Sequence, residues 1–334
     1  MATETPVRSE QPVGARPSAP RGARRAPGPL RPGARVALIA PAGAAPQERL
    51  EAAVAMLRDW GLGPVVMPSA TARHPRADYL SGPDEVRARD IQDAWCDPEI
   101  EGIFCLRGGY GSIRTLERLD VERMRSAGVT PLFGSSDITA LHEWIREMLG
   151  APTWFAPMPS TQAVLEDPAA DGKLRQAVFD PSPSRTVGAS TARTLIAGSA
   201  QGMTIGGNLS LLAMTIGARS RPPVDNSDTI VLLEDVTEET YKIDGYLQSL
   251  LRAGWFDGVQ GVVLGSWAEC SPVAEIEALA VEALGPLGIP VIGELGFGHG
   301  PGSPTIALGV QATMTAPQDG PPSLTVGGPP EELP

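Results

Sequence analysis

The sequence is short of the residues that most directly announce chemistry. Its three cysteines, Cys96, Cys105 and Cys270, are scattered over 334 residues. With no CxxC pair and no even set, they exclude a disulfide framework and fit reduced, buried thiols of a cytosolic protein. Histidine is as scarce: His74, His142 and His299 are the only three. No HExxH or clustered Cys/His set occurs, so no metal is expected. Neither GxxxxGK[ST] nor a GxGxxG after the first strand is present, which leaves nucleotide binding without a cradle and no cofactor in view. No apolar run is long enough to span a bilayer, and the N-terminal stretch lacks the apolar run of a signal peptide, so a cytoplasmic location is expected. Positive charge is in deficit. Twenty-seven Lys and Arg against 39 Asp and Glu leave a net charge of −12, which argues against nucleic acid or an anionic membrane as partner.

What is present supports a sizeable core. Hydrophobic residues make up 42% of a chain long enough for two domains. Residues 1–35 stand apart, with seven arginines, two glutamates and many prolines. Such a stretch cannot bury enough apolar surface to offset its ordering entropy, and a disordered tail over 1–33 is expected. From Arg35 onward short apolar runs alternate with amphipathic stretches. RVALIAPAG is followed by QERLEAAVAMLRDWG, then PVVM, SGPDEVRARDIQDAWCD, GIFCL, TPLFG and DITALHEWIREML. This alternation predicts right-handed crossovers and a parallel sheet covered on both faces. The rhythm weakens at 160–195, then resumes with TIVLLED, GVQGVVLGSW and IPVIGEL before two β-rich pieces, TIALGVQATMTA and SLTVGG. The expected division is a nucleophile-bearing domain at 34–170, a linker at 171–195 and a second domain at 196–330.

Ligands of open parallel sheets bind beyond the carboxyl ends of the strands. Four polar segments fall there: RGGYG at 107–111, GSSD at 134–137, LED at 233–235 and GHGPGSP at 298–304. In GSSD, Ser135 or Ser136 either caps the following helix or presents a nucleophilic hydroxyl at a strand-to-helix turn. The lipase form of that turn has glycine two residues after the serine, where this chain has Ile138. Among the histidines, His74 lies in a polar loop and His142 within a helix, facing a packing partner or solvent. His299 sits between glycines where packing gives little reason for an imidazole, and is the best candidate base. Glu234 ends an apolar strand and is the candidate carboxylate to orient it, with Asp235, Glu238 and Glu239 as competitors. The glycines of RGGYG can turn backbone N–H groups toward a developing negative charge, as an oxyanion hole requires, or toward a phosphate.

Taken in order, RGGYG, GSSDITALH, GGNLSLL, LEDVTEETYKID and GHG resemble the LD-carboxypeptidase family of serine peptidases, which includes murein tetrapeptide carboxypeptidases and microcin C immunity peptidases. The resemblance runs from about Arg35 to about Leu308. It implies an α/β fold: an N-terminal parallel-sheet α/β sandwich domain and a smaller, β-rich α/β C-terminal domain. It also implies a Ser–Glu–His triad without cofactor, namely Ser136, Glu234 and His299, with the backbone N–H groups of Gly109 and Asp137 as oxyanion donors. Family members usually act as homodimers. Two departures, Ser135 where an aromatic residue is common and Ala156 in FAPM where glycine is usual, lie toward the expected substrate side and bear on specificity.

The function so implied is hydrolysis of the amide between an L-centre diamino acid and the terminal D-alanine of murein tetrapeptides, in cell-wall recycling. Two alternatives stand beside it. One is an immunity-type peptidase acting on an aminoacyl-nucleotide antibiotic, which would need an aromatic platform, with Trp154, Trp255 and Trp267 as candidates. The other is a binding homologue without catalysis.

Overall fold

The computed structural model describes residues 29–180, 184–218 and 220–327. Two sheets organise the chain. The first is built as the alternating pattern predicts. Strands Arg35–Ile39, Gly63–Val66, Gly102–Cys105, Leu132–Gly134 and Thr153–Phe155 run parallel. Helices Gln47–Asp59, Asp84–Cys96 and Val121–Ala127 make three of the crossovers. Numbered in chain order these strands lie 2-1-3-4-5. The chain therefore reverses its direction of travel between the first and third strands, and a crevice opens beyond their carboxyl ends. An aromatic ladder steps across three neighbouring strands. Phe104 stacks on Phe133 with centroids 4.8 Å apart, and Phe133 on Trp154 at 5.9 Å. Stacked rings of this kind add to sheet stability beyond their buried area.

The second sheet is mixed and has eight strands. Its centre is parallel: Gly198–Asn208, Thr229–Val236, Val259–Ala268 and Val291–Gly293 pair in succession. Hairpin-type antiparallel pairing extends one side through Gln311–Ala316 and Ser323–Val326. A continuous apolar core joins the two sheets, with Leu38, Phe104 and Phe155 from the first packed in one cluster with Leu232, Phe297 and Met314. Burying such side chains is worth roughly 1.5–3 kcal/mol each, so the two sheets are energetically one body.

Three features depart from the division read along the chain. The expected tail, residues 1–33, lies mostly outside the described residues, but its last part is docked. Leu30 is buried, and its N–H donates to the Val178 carbonyl at 2.8 Å. The expected linker contributes the end of helix Pro168–Phe179 and two strands, Arg185–Val187 and Arg193–Ile196, to the body. Third, TIALGVQATMTA does not belong to one sheet. Ile306–Leu308 returns to the first sheet, antiparallel to Thr153–Phe155, while Gln311–Ala316 stays in the second. A strand-forming pattern does not say which sheet a segment joins; the edge available to each half decides where it pairs.

Candidate active site

Gly134 ends the fourth strand, Ser135 is still extended, and a helical turn begins at Ser136. Ser136 has φ +59°, one of five non-glycine residues in the left-handed region among the described residues. That conformation costs roughly 1–2 kcal/mol and persists only where surroundings impose it. Here they do, because the loop after the third strand presses on the turn. A Cβ added at Gly108 would lie 2.8 Å from Ser136 Oγ and 3.3 Å from the Asp137 nitrogen. RGGYG and GSSD are thus in contact, and glycine at 108 is what allows it.

The contact is stapled from below. Asp137 is buried and accepts from Ser112 N–H at 2.7 Å, while Ser112 Oγ donates to the Asp137 carbonyl at 2.5 Å. Arg87, fully buried, donates to the carbonyls of Pro41 and Gly111 and pairs with Asp84. His142 is buried too, packed inside and away from solvent. Burial drives its pKa down to about 4, against the opposing effect of its bond to Gly134. The neutral ring donates Nε2–H to the Gly134 carbonyl at 2.9 Å, holding the strand end that carries the serines. His74 caps its own loop, accepting from the N–H groups of Arg76 and Ala77 on Nδ1.

The other half of the site comes from the second sheet. Glu234 is completely buried at the carboxyl end of its strand, and its Oε2 lies 2.6 Å from His299 Nδ1. A buried carboxylate is tolerable only when paired, and this pairing fixes the imidazole with Nδ1–H toward Glu234 and Nε2 free. Gly298 has φ +112°, and a Cβ there would come within 2.6 Å of Glu234 Oε2. The loop is pinned at three points: Gly298 N–H to Ser303 Oγ, Gly300 N–H to Ser266 Oγ and Gly302 N–H to Asp167 Oδ2. Burial of the His299 ring opposes its charging. The adjacent Glu234 carboxylate, its hydrogen bond, and Asp235 behind it outweigh that and raise the pKa above the usual histidine value.

Of the competing carboxylates, Asp235 turns away from His299. It accepts from Asn208 Nδ2 at 2.8 Å, from Ser210 N–H at 2.8 Å and from Val236 N–H at 2.9 Å. Burial, and then the neighbouring Glu234 charge, push its pKa up to about 6, against those three hydrogen bonds. Glu238 accepts from the Tyr246 hydroxyl and pairs with Lys242, and Glu239 precedes helix Thr240–Arg252.

One residue without a role in the sequence reading ties the halves together. Asn208, last of GGN, receives a bond on its carboxamide oxygen from Leu211 N–H, and its Nδ2 reaches Glu234 Oε1 at 3.3 Å as well as Asp235. Its own N–H donates to Thr139 Oγ1, one helical turn beyond Ser136, at 2.9 Å. Gly207 beside it has φ +139°, and a Cβ there would meet Thr139 Oγ1 at 2.5 Å. A polar residue closing a strand is the signal that points to Asn208; nothing in the sequence marks Asp137 or Asp167 as staples. The structure therefore brings Glu234 and His299 into direct contact and links them through Asn208 to the Ser136 turn, with Gly108 and Asp137 beside the serine and Gly109 next along the loop, against Gly43 and Arg107. Trp154, Trp255 and Trp267 are buried. Among the described residues no group of three or more His, Cys, Asp or Glu is arranged to hold a metal, and no helix is long and apolar enough to cross a membrane.

Family models for the LD-carboxypeptidase N-terminal and C-terminal domains match residues 36–156 and 201–314. A Streptomyces coelicolor protein that carries a carboxypeptidase name is 46% identical over 291 residues, 87% of this chain and 93% of its own length. The murein tetrapeptide carboxypeptidase of Pseudomonas aeruginosa is 32% identical over 285 residues, 80% of this chain and 88% of its own. In fold, the chain is similar to an MccF-like protein from Bacillus anthracis. The TM-score is 0.79 at 24% identity, covering 91% of this chain and 99% of the other.

Proposed function

The chain belongs to the LD-carboxypeptidase family, and from that premise we propose that it is a serine carboxypeptidase releasing the terminal D-alanine of murein tetrapeptides. The observation that carries this reading is the fully buried Glu234 carboxylate held 2.6 Å from His299 Nδ1, joined through Asn208 to the strained Ser136 turn. In this mechanism Ser136 Oγ attacks the carbonyl carbon of the diamino acid while His299 Nε2 takes its proton. The charge that develops on the carbonyl oxygen is met by the N–H groups of Gly109 and Asp137. Glu234 accepts Nδ1–H throughout and stabilises the imidazolium. The C–N bond then breaks, and His299 Nε2–H protonates the departing amine of D-alanine. A water deprotonated by the same Nε2 cleaves the acyl-enzyme, returning Ser136 and releasing the tripeptide.

A second reading, an immunity-type peptidase acting on an aminoacyl-nucleotide conjugate, has one observation in its favour. Tyr79 and Tyr110 are exposed and meet edge to face, 5.9 Å apart, at the rim of the cleft beside RGGYG; they offer the platform that the buried tryptophans do not. Incubation with tetrapeptide and with an aminoacyl-sulfamoyl nucleoside, followed by mass spectrometry, separates the readings. D-Alanine from the first supports the carboxypeptidase, and nucleoside release without D-alanine supports the immunity peptidase. Turnover of neither, with no fluorophosphonate labelling of Ser136, leaves a binding homologue. A cytoplasmic homodimer belongs to the same proposal, and light scattering tests the assembly.

A further inference from the structure

The crevice at the strand-order reversal contains a cleft of about 430 Å³ lined by Gly43, Ala44, Asp78, Tyr79, Arg107 and Gly109, with Tyr110 beside them. Arg107 opens the RGGYG loop and is half-buried. Its Nη1 donates to the Ala44 carbonyl at 3.2 Å. Its guanidinium wraps the junction of two loops: a Cβ added at Gly43 would lie 3.4 Å from Nε, and one at Gly109 would lie 3.7 Å from Nη2. The neighbouring residue, Gly108, is the one whose added Cβ would lie 2.8 Å from Ser136 Oγ.

The surrounding arginines are already committed. Arg87 and Arg114 share Asp84, whereas Arg107 forms no ion pair among the described residues. In a chain of net charge −12, a half-buried cation without an ion-pair partner, one residue from the glycine that packs against Ser136, is available for an anionic ligand. Asp78, on the same cleft, is exposed, and solvent and salt screen it.

We propose that Arg107 is the subsite for the free C-terminal carboxylate of the substrate, so that the enzyme reads the chain end and not merely the scissile bond. This rests on the carboxypeptidase reading above. In a terminal residue the carboxylate carbon sits only about 3–4 Å from the scissile carbonyl carbon, through one N and one Cα. A group that binds it must therefore lie next to the oxyanion loop, which is where Arg107 begins that loop. The planar guanidinium fork matches a carboxylate with two parallel hydrogen bonds, which a lysine cannot reproduce.

The test reads binding apart from turnover. In Ser136→Ala protein, calorimetry with the murein tetrapeptide as free acid and as its C-terminal carboxamide should show the acid bound about 10- to 100-fold more tightly. Adding Arg107→Met should bring the two ligands within about twofold of each other, and Arg107→Lys should restore part of the preference. Should Arg107→Met fail to fold, as thermal unfolding would show, Arg107→Lys must still lower the preference. An acid preference that survives these substitutions, or no acid preference before them, overturns the subsite. Selective binding of the acid by protein that releases no D-alanine when Ser136 is intact would uphold the subsite and overturn the proposed reaction.

Discussion

The two halves of the site are held in opposite ways. Around Ser136 most restraints come from the first domain's own motifs: Gly108 against the serine, Asp137 to Ser112, His142 to Gly134; the second sheet adds the bond from Asn208 to Thr139, one turn further on. Within the first domain the longest of these, Gly108 to Ser136, spans 28 residues. Around His299 the loop is glycine-rich, with backbone N–H groups that reach Asp167, 135 residues away, and Ser266, 34 residues away. Its ring is oriented by Glu234 across 65 residues. The serine half stores strain in a left-handed backbone, while the histidine half has little local stiffness and depends on distant side chains. A nucleophile needs a fixed exposed hydroxyl. A proton carrier needs a tautomer and a charge environment, which only groups brought in from elsewhere can supply.

Substitutions that act on one half or the other test this contrast. The largest effect is expected at Ser136, the proposed nucleophile. Ser136→Ala should lower kcat by about 10⁴- to 10⁶-fold, whereas Ser135→Ala should keep most activity; the reverse ranking in D-alanine release assays would place the nucleophile one residue earlier. On the histidine side, Glu234→Gln should retain the fold and lower kcat by about 10²- to 10⁴-fold, since an amide holds the ring but does not stabilise its charged form. Circular dichroism that showed an unfolded protein would make Glu234 a structural residue instead.

Smaller effects report on the distant restraints. Asp167→Ala frees the Gly302 end of the His299 loop, and kcat should fall about 3- to 10-fold with little change in Ser136 labelling by a fluorophosphonate. Equal losses in both assays would mean that the two halves are not independently held. The smallest expected change is in pH dependence. His299 must be neutral to act as base, and its pKa is raised, so activity falls toward acid with a midpoint above the usual histidine value. Asp235 contributes to that rise. Asp235→Asn removes a negative charge that favours the imidazolium, so the acid limb of kcat/KM should move to lower pH by less than about one unit. A shift to higher pH would contradict the electrostatic assignment.

The residues along the chain were enough to read strand–helix alternation, the parallel first sheet and the four polar strand ends, because hydrophobic period and glycine placement are local properties. They were also enough to single out His299, since an imidazole between glycines has no packing reason to be there. They left Ser135 against Ser136 and Glu234 against Asp235 open. Neighbours of like chemistry differ only in where the backbone aims them, and the resemblance to a family supplied the choice. Tertiary structure separates them physically: Ser136 takes the left-handed turn, and Glu234 rather than Asp235 faces His299, while Asp235 is held by Asn208 and Ser210. It also decided what no local pattern carries: that Leu30 docks, that Ile306–Leu308 joins the first sheet, and that Asn208 links the carboxylate to the serine turn. Each depends on an edge, a cavity or a hydrogen-bond partner contributed by residues dozens of positions away, and those exist only once the two sheets have packed.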